Sequence, residues 1–118
     1  MTAERTARVA ERIRAEVMDL LLTGKIKDPA THGAVVHAVQ VTADLRQARV
    51  YVRLDELEPS DARKKALMRG LGRAEGYIRR EVGKRLELRY SPELTFLWDD
   101  TVERASRIEE ILDEISKE

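Results

Sequence analysis

The stretch RAEGYIRREVGKRL, residues 73–86, decides the fold because a helical pattern runs through it despite two glycines. An interior glycine costs a helix about 0.5 to 1 kcal/mol relative to alanine, so Gly76 and Gly83 require an explanation. The apolar stripe of this region steps by three or four residues through Leu67, Leu71, Ala74, Ile78 and Val82. We predict that Gly76 marks a bend at which one helix ends and a second begins, with the stripe serving both.

Amphipathic segments on both sides of this stretch supply the remaining elements. Apolar residues at helical spacing predict a first helix over residues 6–22, and alternating residues predict a β-hairpin from segments 34–41 and 48–54. A short strand is predicted at 93–98. After it, Asp100 and Glu103 resemble a capping box for a last amphipathic helix, whose apolar residues are Val102, Ile108, Ile111, Leu112 and Ile115.

The resulting order, αββααβ plus a C-terminal helix, defines the fold class. It predicts an α/β protein of the α+β sandwich type, in which helices cover one face of a three-stranded sheet. A chain of 118 residues fits one domain, spanning residues 1–118. We expect the C-terminal helix to complete the core and to turn its acidic face outwards.

Composition and motifs argue against catalysis. The chain has no cysteine and only two histidines, His32 and His37, and it lacks both a phosphate-binding loop and a nucleophile paired with a base. Asp99 and Asp100 are adjacent, but consecutive residues at a strand end point in different directions. We therefore expect no catalytic residue, no metal site and no cofactor.

The same composition predicts the compartment. No run of eighteen apolar residues is present, and the N-terminal residues do not follow the pattern of a signal peptide. We expect a cytoplasmic protein that acts away from membranes.

Charge is distributed unevenly although the net charge is zero. Residues 62–89 contain ten Lys or Arg and three Glu, whereas residues 93–118 contain nine acids and three bases. Such a separation predicts one basic surface, although rows of charge on helices are often merely solvated.

The basic surface is predicted on the solvent side of the glycine-bearing region. A helical projection places Arg69, Arg73, Tyr77, Arg80 and Lys84 in one sector, opposite the apolar stripe. Beside them lies a strip without side chains, formed by Gly72, Gly76 and Gly83. Cations neutralise phosphates, tyrosine stacks on bases, and bare backbone permits close approach, so this arrangement suits RNA. Arg79 and Arg85, in the same basic block, complete the predicted RNA-binding set.

Four segments of the chain together resemble the bacterial ribosome-binding factor A family. They are RVAERIRAEVMDLLLTGKIKDP at 8–29, VTADLRQARVYV at 41–52, EGYIRREVGKRLELRYSPELTF at 75–96 and RIEEIL at 107–112. The most specific part is the pattern IRRE-x3-RL-x-LR-x2-P-x-L-x-F. The resemblance covers nearly the whole chain.

The resemblance implies a type II KH-like RNA-binding domain with an Ala-x-Gly kink in place of the usual Gly-x-x-Gly loop. The kink falls on Ala74, Glu75 and Gly76. Because Glu75 places an acid in the turn, a phosphate is disfavoured directly above it. We therefore expect the flanking Arg73, Tyr77, Arg80 and Lys84 to carry RNA binding.

The resemblance also implies a function and partners. It implies a non-enzymatic assembly factor that binds the 30S precursor and 16S rRNA, assists 5′-end maturation and matters most in the cold. We expect a monomer, with assembly GTPases as further candidate partners. The alternative is a protein-interaction adaptor that docks through the hairpin edge or the acidic C-terminal helix.

Overall fold

A computed structural model of the chain describes residues 3–117. Three helices and three strands, with one short 3₁₀ turn, make up the fold. In chain order they are α1 (Ala3–Leu22), the 3₁₀ turn (Pro29–Thr31), β1 (Ala34–Val41), β2 (Gln47–Leu54), α2 (Asp61–Leu86), β3 (Glu93–Trp98) and α3 (Thr101–Ser116). Within residues 3–117, no helix combines the length and the apolar character that crossing a membrane requires.

The sheet is mixed, with the strand order β1-β2-β3. β1 and β2 form the predicted antiparallel hairpin, and β2 pairs in parallel with β3. A parallel pair needs a crossover connection, which α2 supplies. The register shifts between Val36 and Ala38, so that His37 is the extra residue of a bulge. The predicted α/β class with a three-stranded sheet is confirmed.

The core lies between the sheet and two helices, α1 and α2. α1 contributes the predicted stripe, since Ile13, Val17 and Leu20 are fully buried. Every second residue of β2, from Ala48 to Leu54, faces the same core. The buried apolar side chains of α2 are Leu67, Leu71, Ile78, Val82 and Leu86.

α2 is one uninterrupted helix, so the predicted division into two separate helices at Gly76 is wrong. Ala74, Glu75 and Gly76 are all helical and lie well inside the element. The Ser60 hydroxyl accepts from the Arg63 N–H at 3.1 Å to cap its start, and Glu87, at φ 52°, ends it. Because the buried stripe packs along the whole helix, tertiary contacts offset the helix propensity lost at the glycines.

α3 does not complete the core, which overturns a second prediction. None of its described residues is buried, and the side chains of Val102, Ile108, Ile111, Leu112 and Ile115 are 53% to 60% exposed. The radius of gyration is 16.5 Å, against about 13 to 14 Å for a compact domain of this length. The molecule is elongated because α3 extends from the body.

Polar contacts hold the beginning of α3. The Arg53 guanidinium donates two hydrogen bonds to the Glu103 carboxylate, each 3.0 Å long. It also lies over the Trp98 ring, 4.9 Å from the centroid. Glu103 thus pairs with a residue of β2. The predicted capping box with Asp100 does not form. Asp99 instead accepts a hydrogen bond from the Thr101 N–H at 3.0 Å. α3 is attached through ion pairing rather than through apolar packing.

Candidate nucleic-acid interface

The exposed side of α2 carries a row of cations that we call the basic ridge. Its members are Arg69, Arg73, Arg80 and Lys84, and all four are exposed. The ridge lies opposite the buried stripe of the same helix, because residues spaced by three or four positions share a face. A single continuous helix therefore presents the four positive charges on the side that the helical projection gives them.

The cations of the ridge differ in how far the protein already uses them. Arg69 and Arg80 have no hydrogen-bond or ion-pair partner in the part of the chain that the structure describes. Lys84 approaches the Glu81 carboxylate at 3.4 Å. Arg73 pairs with Asp28, with Nη2 2.6 Å from Oδ2, and this hydrogen bond is the main cause that lowers the pKa of Asp28. Arg69 and Arg80 are consequently the most available for an external anion.

Three other residues of the predicted RNA-binding set lie off the ridge. Tyr77 is half-buried and packs against the core. Arg79 is exposed and donates through Nε and Nη2 to the Ser91 carbonyl, each at 3.2 Å. Arg85 bonds to the carboxylates of Glu16 and Asp19 at 2.9 and 2.8 Å. These ion pairs join Arg85 to α1. Arg85 therefore serves to hold the fold together more than to bind a ligand.

Only part of the predicted glycine strip is open to a ligand. A Cβ at Gly72 would meet nothing within 4 Å, and one at Gly76 would meet only Arg80 Nη1 at 3.7 Å. At Gly83 a Cβ would overlap the Ser91 side chain. Gly83 is therefore needed for contact with the α2–β3 connection, and its predicted place in a ligand-facing strip is wrong. The bare surface beside the ridge is formed by Gly72 and Gly76.

Glu75 is directed away from the basic ridge. Its Oε1 accepts a hydrogen bond from the backbone N–H of Leu94, on β3, at 3.3 Å. β3 is an edge strand, and such strands present unpaired backbone groups. The acid that the sequence places beside Gly76 thus satisfies a backbone donor of the sheet. It does not sit above the ridge, where it would repel phosphate.

The structure adds two lysines that the sequence interpretation missed. Lys25 and Lys27, from the α1–β1 connection, line a groove of about 270 Å³ together with Arg73 and Tyr77. Both lysines are exposed and have no ion-pair partner within residues 3–117. The only signal in the sequence is a Lys-x-Lys pair after Gly24, and its proximity to α2 depends on the tertiary fold. The groove extends the positive surface to one side of the ridge.

Comparisons with known proteins bear on this arrangement. The family model described as Ribosome-binding factor A matches residues 5–112. A ribosome-binding factor A from Gloeobacter violaceus is 42% identical over 120 residues, covering 100% of this chain and 91% of the relative.

Solved structures give the same likeness. The solution structure of a putative ribosome binding factor A from Thermotoga maritima matches with a TM-score of 0.68 and 27% identity, covering 82% of this chain and 89% of that one. Thermus thermophilus ribosome binding factor A, as a homology model fitted into a cryo-EM map of a 30S complex, matches with a TM-score of 0.54 and 26% identity, covering 75% and 92%.

Proposed function

The chain belongs to the ribosome-binding factor A family, and on that premise we propose that it is a ribosome maturation factor that binds the 30S subunit. Its role is non-catalytic, as in the rest of the family. The relative from Thermus thermophilus is described in a complex with the 30S particle. We extend that binding to this chain because the likeness covers three quarters of it.

The observation that carries the RNA-binding part of this proposal is the basic ridge of α2. Guanidinium and ammonium groups neutralise phosphates, and the open backbone at Gly72 and Gly76 lets a sugar-phosphate chain approach closely. Contacts of this kind sense shape and charge more than base sequence. The ridge is thus suited to structured rRNA.

We assign finer details to the same proposal. The bound particle is an immature 30S subunit, the RNA contacted is 16S rRNA, and binding assists late maturation, including that of the 5′ end. In this account Arg69 and Arg80 make the principal phosphate contacts, Lys84 and Arg73 add to them, and Lys25 and Lys27 extend the contact along the neighbouring groove.

A salt titration of binding to purified 30S precursors tests this proposal. Phosphate contacts from the four cations of the ridge predict a slope of about −2.8 to −3.6 in log affinity against log salt, since each contact releases a counterion. Affinity should therefore fall about 50- to 150-fold between 50 and 200 mM salt. A flat response would contradict binding through phosphates.

One observation favours the adaptor as a second candidate function. The apolar side chains of α3 are more than half exposed, and α3 is joined to the body mainly by polar contacts. RNase treatment before co-sedimentation distinguishes the two candidates. An adaptor held by ribosomal protein would remain with the particles, whereas a factor held by the basic ridge would be released.

A further inference from the structure

Tyr90 is an aromatic residue that neither the core nor the basic ridge uses. It lies in the connection between α2 and β3, and 56% of its surface is exposed. Burial of an aromatic side chain removes a large apolar area from water. An aromatic ring that stays exposed on a polar surface is therefore a candidate binding site.

Two arginines from separate parts of the chain accompany the Tyr90 ring. The guanidinium carbon of Arg46, in the β1–β2 turn, lies 5.3 Å from the ring centroid, and that of Arg89 lies 5.4 Å from it. Neither guanidinium forms an ion pair within 4 Å among the described residues. The neighbouring Asp44 directs its carboxylate to the Thr42 hydroxyl at 2.7 Å and to the Arg46 backbone N–H at 3.0 Å. Both arginines thus retain their charge for another ligand.

A groove of about 300 Å³ opens beside the ring and adds further donors. Its lining includes Arg79, Gln47 and Ser91, together with one acid, Glu93. Arg79 donates from Nε and Nη2 to the Ser91 carbonyl, which leaves Nη1 without an acceptor in the part of the chain described. The groove therefore joins an aromatic face to the guanidinium groups of Arg46 and Arg79, and Arg89 flanks the same ring.

We propose that Tyr90, flanked by Arg46 and Arg89, is a stacking platform for an unpaired nucleotide of the RNA that the basic ridge binds. The inference rests on the proposed function, because it concerns the same RNA. A base can stack on the tyrosine ring or on a guanidinium plane, and the adjoining phosphate is neutralised by Arg79 or by the second flanking arginine. Glu93 disfavours a purely anionic ligand but can accept a hydrogen bond from a base that presents an N–H donor, such as N3–H of uracil.

The platform groove and the ridge lie on neighbouring sides of α2, because consecutive helical residues point about 100° apart. Arg79 belongs to the platform groove and the next residue, Arg80, belongs to the ridge. In this proposal the paired part of the RNA lies on the ridge and an unpaired base lies at Tyr90.

The test compares two probes by fluorescence anisotropy, fluorescein-labelled decauridylate and a labelled twelve-base-pair RNA duplex. For each variant of the full chain, the measured quantity is the ratio of decauridylate affinity to duplex affinity. Tyr90→Ala should lower this ratio about 5- to 100-fold, because one stacked base is lost. Tyr90→Phe, which keeps the ring, should stay within about twofold of the unmodified protein. Tyr51→Ala, an aromatic change outside the platform, should leave the ratio unchanged.

Other results overturn the proposal. An unchanged ratio in Tyr90→Ala rules out stacking at this residue, and a loss in Tyr90→Phe equal to that in Tyr90→Ala assigns the effect to the hydroxyl. If the platform alone is wrong, the unmodified protein still binds the duplex and the 30S precursor with a steep salt dependence. If the unmodified protein binds neither probe nor precursor, the proposed function fails and the platform fails with it. Equal urea midpoints for the variants exclude unfolding as the cause.

Discussion

α2 and α3 are both amphipathic helices, yet only α2 has its apolar side covered. Five apolar side chains of α2 are buried in the core, and its outer side carries the basic ridge, in which Arg69 and Arg80 have no ion-pair partner among residues 3–117. α3 has an acidic polar side, an apolar stripe that is more than half exposed and no buried residue. Helical periodicity therefore identifies the apolar side of a helix but not the surface that covers it.

The largest expected difference between the two helices is in stability. Ile78→Ala removes a fully buried side chain of α2, and we expect it to lower the free energy of unfolding by about 2 to 5 kcal/mol. Ile111→Ala, on the exposed stripe of α3, should change it by less than about 0.5 kcal/mol. Urea unfolding measures both values. A cost at Ile111 close to that at Ile78 would mean that α3 is packed against the body.

Two glycines of α2 should respond in opposite directions to the same substitution. Gly83→Ala forces the new Cβ against Ser91 and should destabilise by about 1 to 3 kcal/mol, as overpacking does. Gly72→Ala enters open space and should stabilise by about 0.5 to 1 kcal/mol through helix propensity.

The Gly72 variant also separates stability from binding. Although Gly72→Ala should raise the urea midpoint, its Cβ protrudes beside the ridge and should weaken binding to the 30S precursor. A variant that is both more stable and equally tight in binding would show that RNA does not approach the backbone there.

The smallest expected effect concerns the attachment of α3. The hydrogen bond from Arg53, with its positive charge, lowers the pKa of Glu103 to about 2. A carboxylate whose pKa is lowered on folding stabilises the fold above its unfolded pKa and loses this contribution as pH falls towards the folded value. Because the pair is partly exposed, we expect about 1 kcal/mol or less at pH 7.

Glu103→Gln measures that contribution. Urea unfolding can be followed by the fluorescence of Trp98, over which Arg53 lies. At pH 7 the free energy of unfolding should be higher for the native protein than for the variant. This difference in the free energy of unfolding should disappear as the pH falls from about 5 to about 2. A gap that stays constant over this range would show that the ion pair does not anchor α3.

Much of the fold could be predicted from local patterns. The hairpin, α1 and the stripe of α2 follow from periodicity, because each of these elements finds its partner inside the chain. The division into two helices at Gly76 was wrong since glycine propensity was weighed without the packing that supports α2 along its length. The core position of α3 was wrong because an apolar stripe was taken to require an internal partner.

The site was predictable only where it lies on one element. The cations of the ridge share α2, so the spacing of Arg69 and Arg80 is sufficient to place them together. Lys27 lies beside α2, and Arg46 lies over Tyr90, although the segments that meet in each case are distant in sequence. No local pattern connects them. The pairing of Arg85 with Glu16 and the turn of Glu75 towards β3 likewise depend on tertiary neighbours.

The most direct test of the central claim reverses the charge of two arginines on each helix. Arg69→Glu with Arg80→Glu alters the ridge of α2, and Arg104→Glu with Arg107→Glu makes the same change in net charge on α3. Binding to purified 30S precursors at fixed salt should weaken about 10- to 100-fold for the α2 pair and by less than about threefold for the α3 pair. Equal losses in the two variants, or undiminished binding by the α2 pair, would contradict the assignment of RNA binding to the basic ridge.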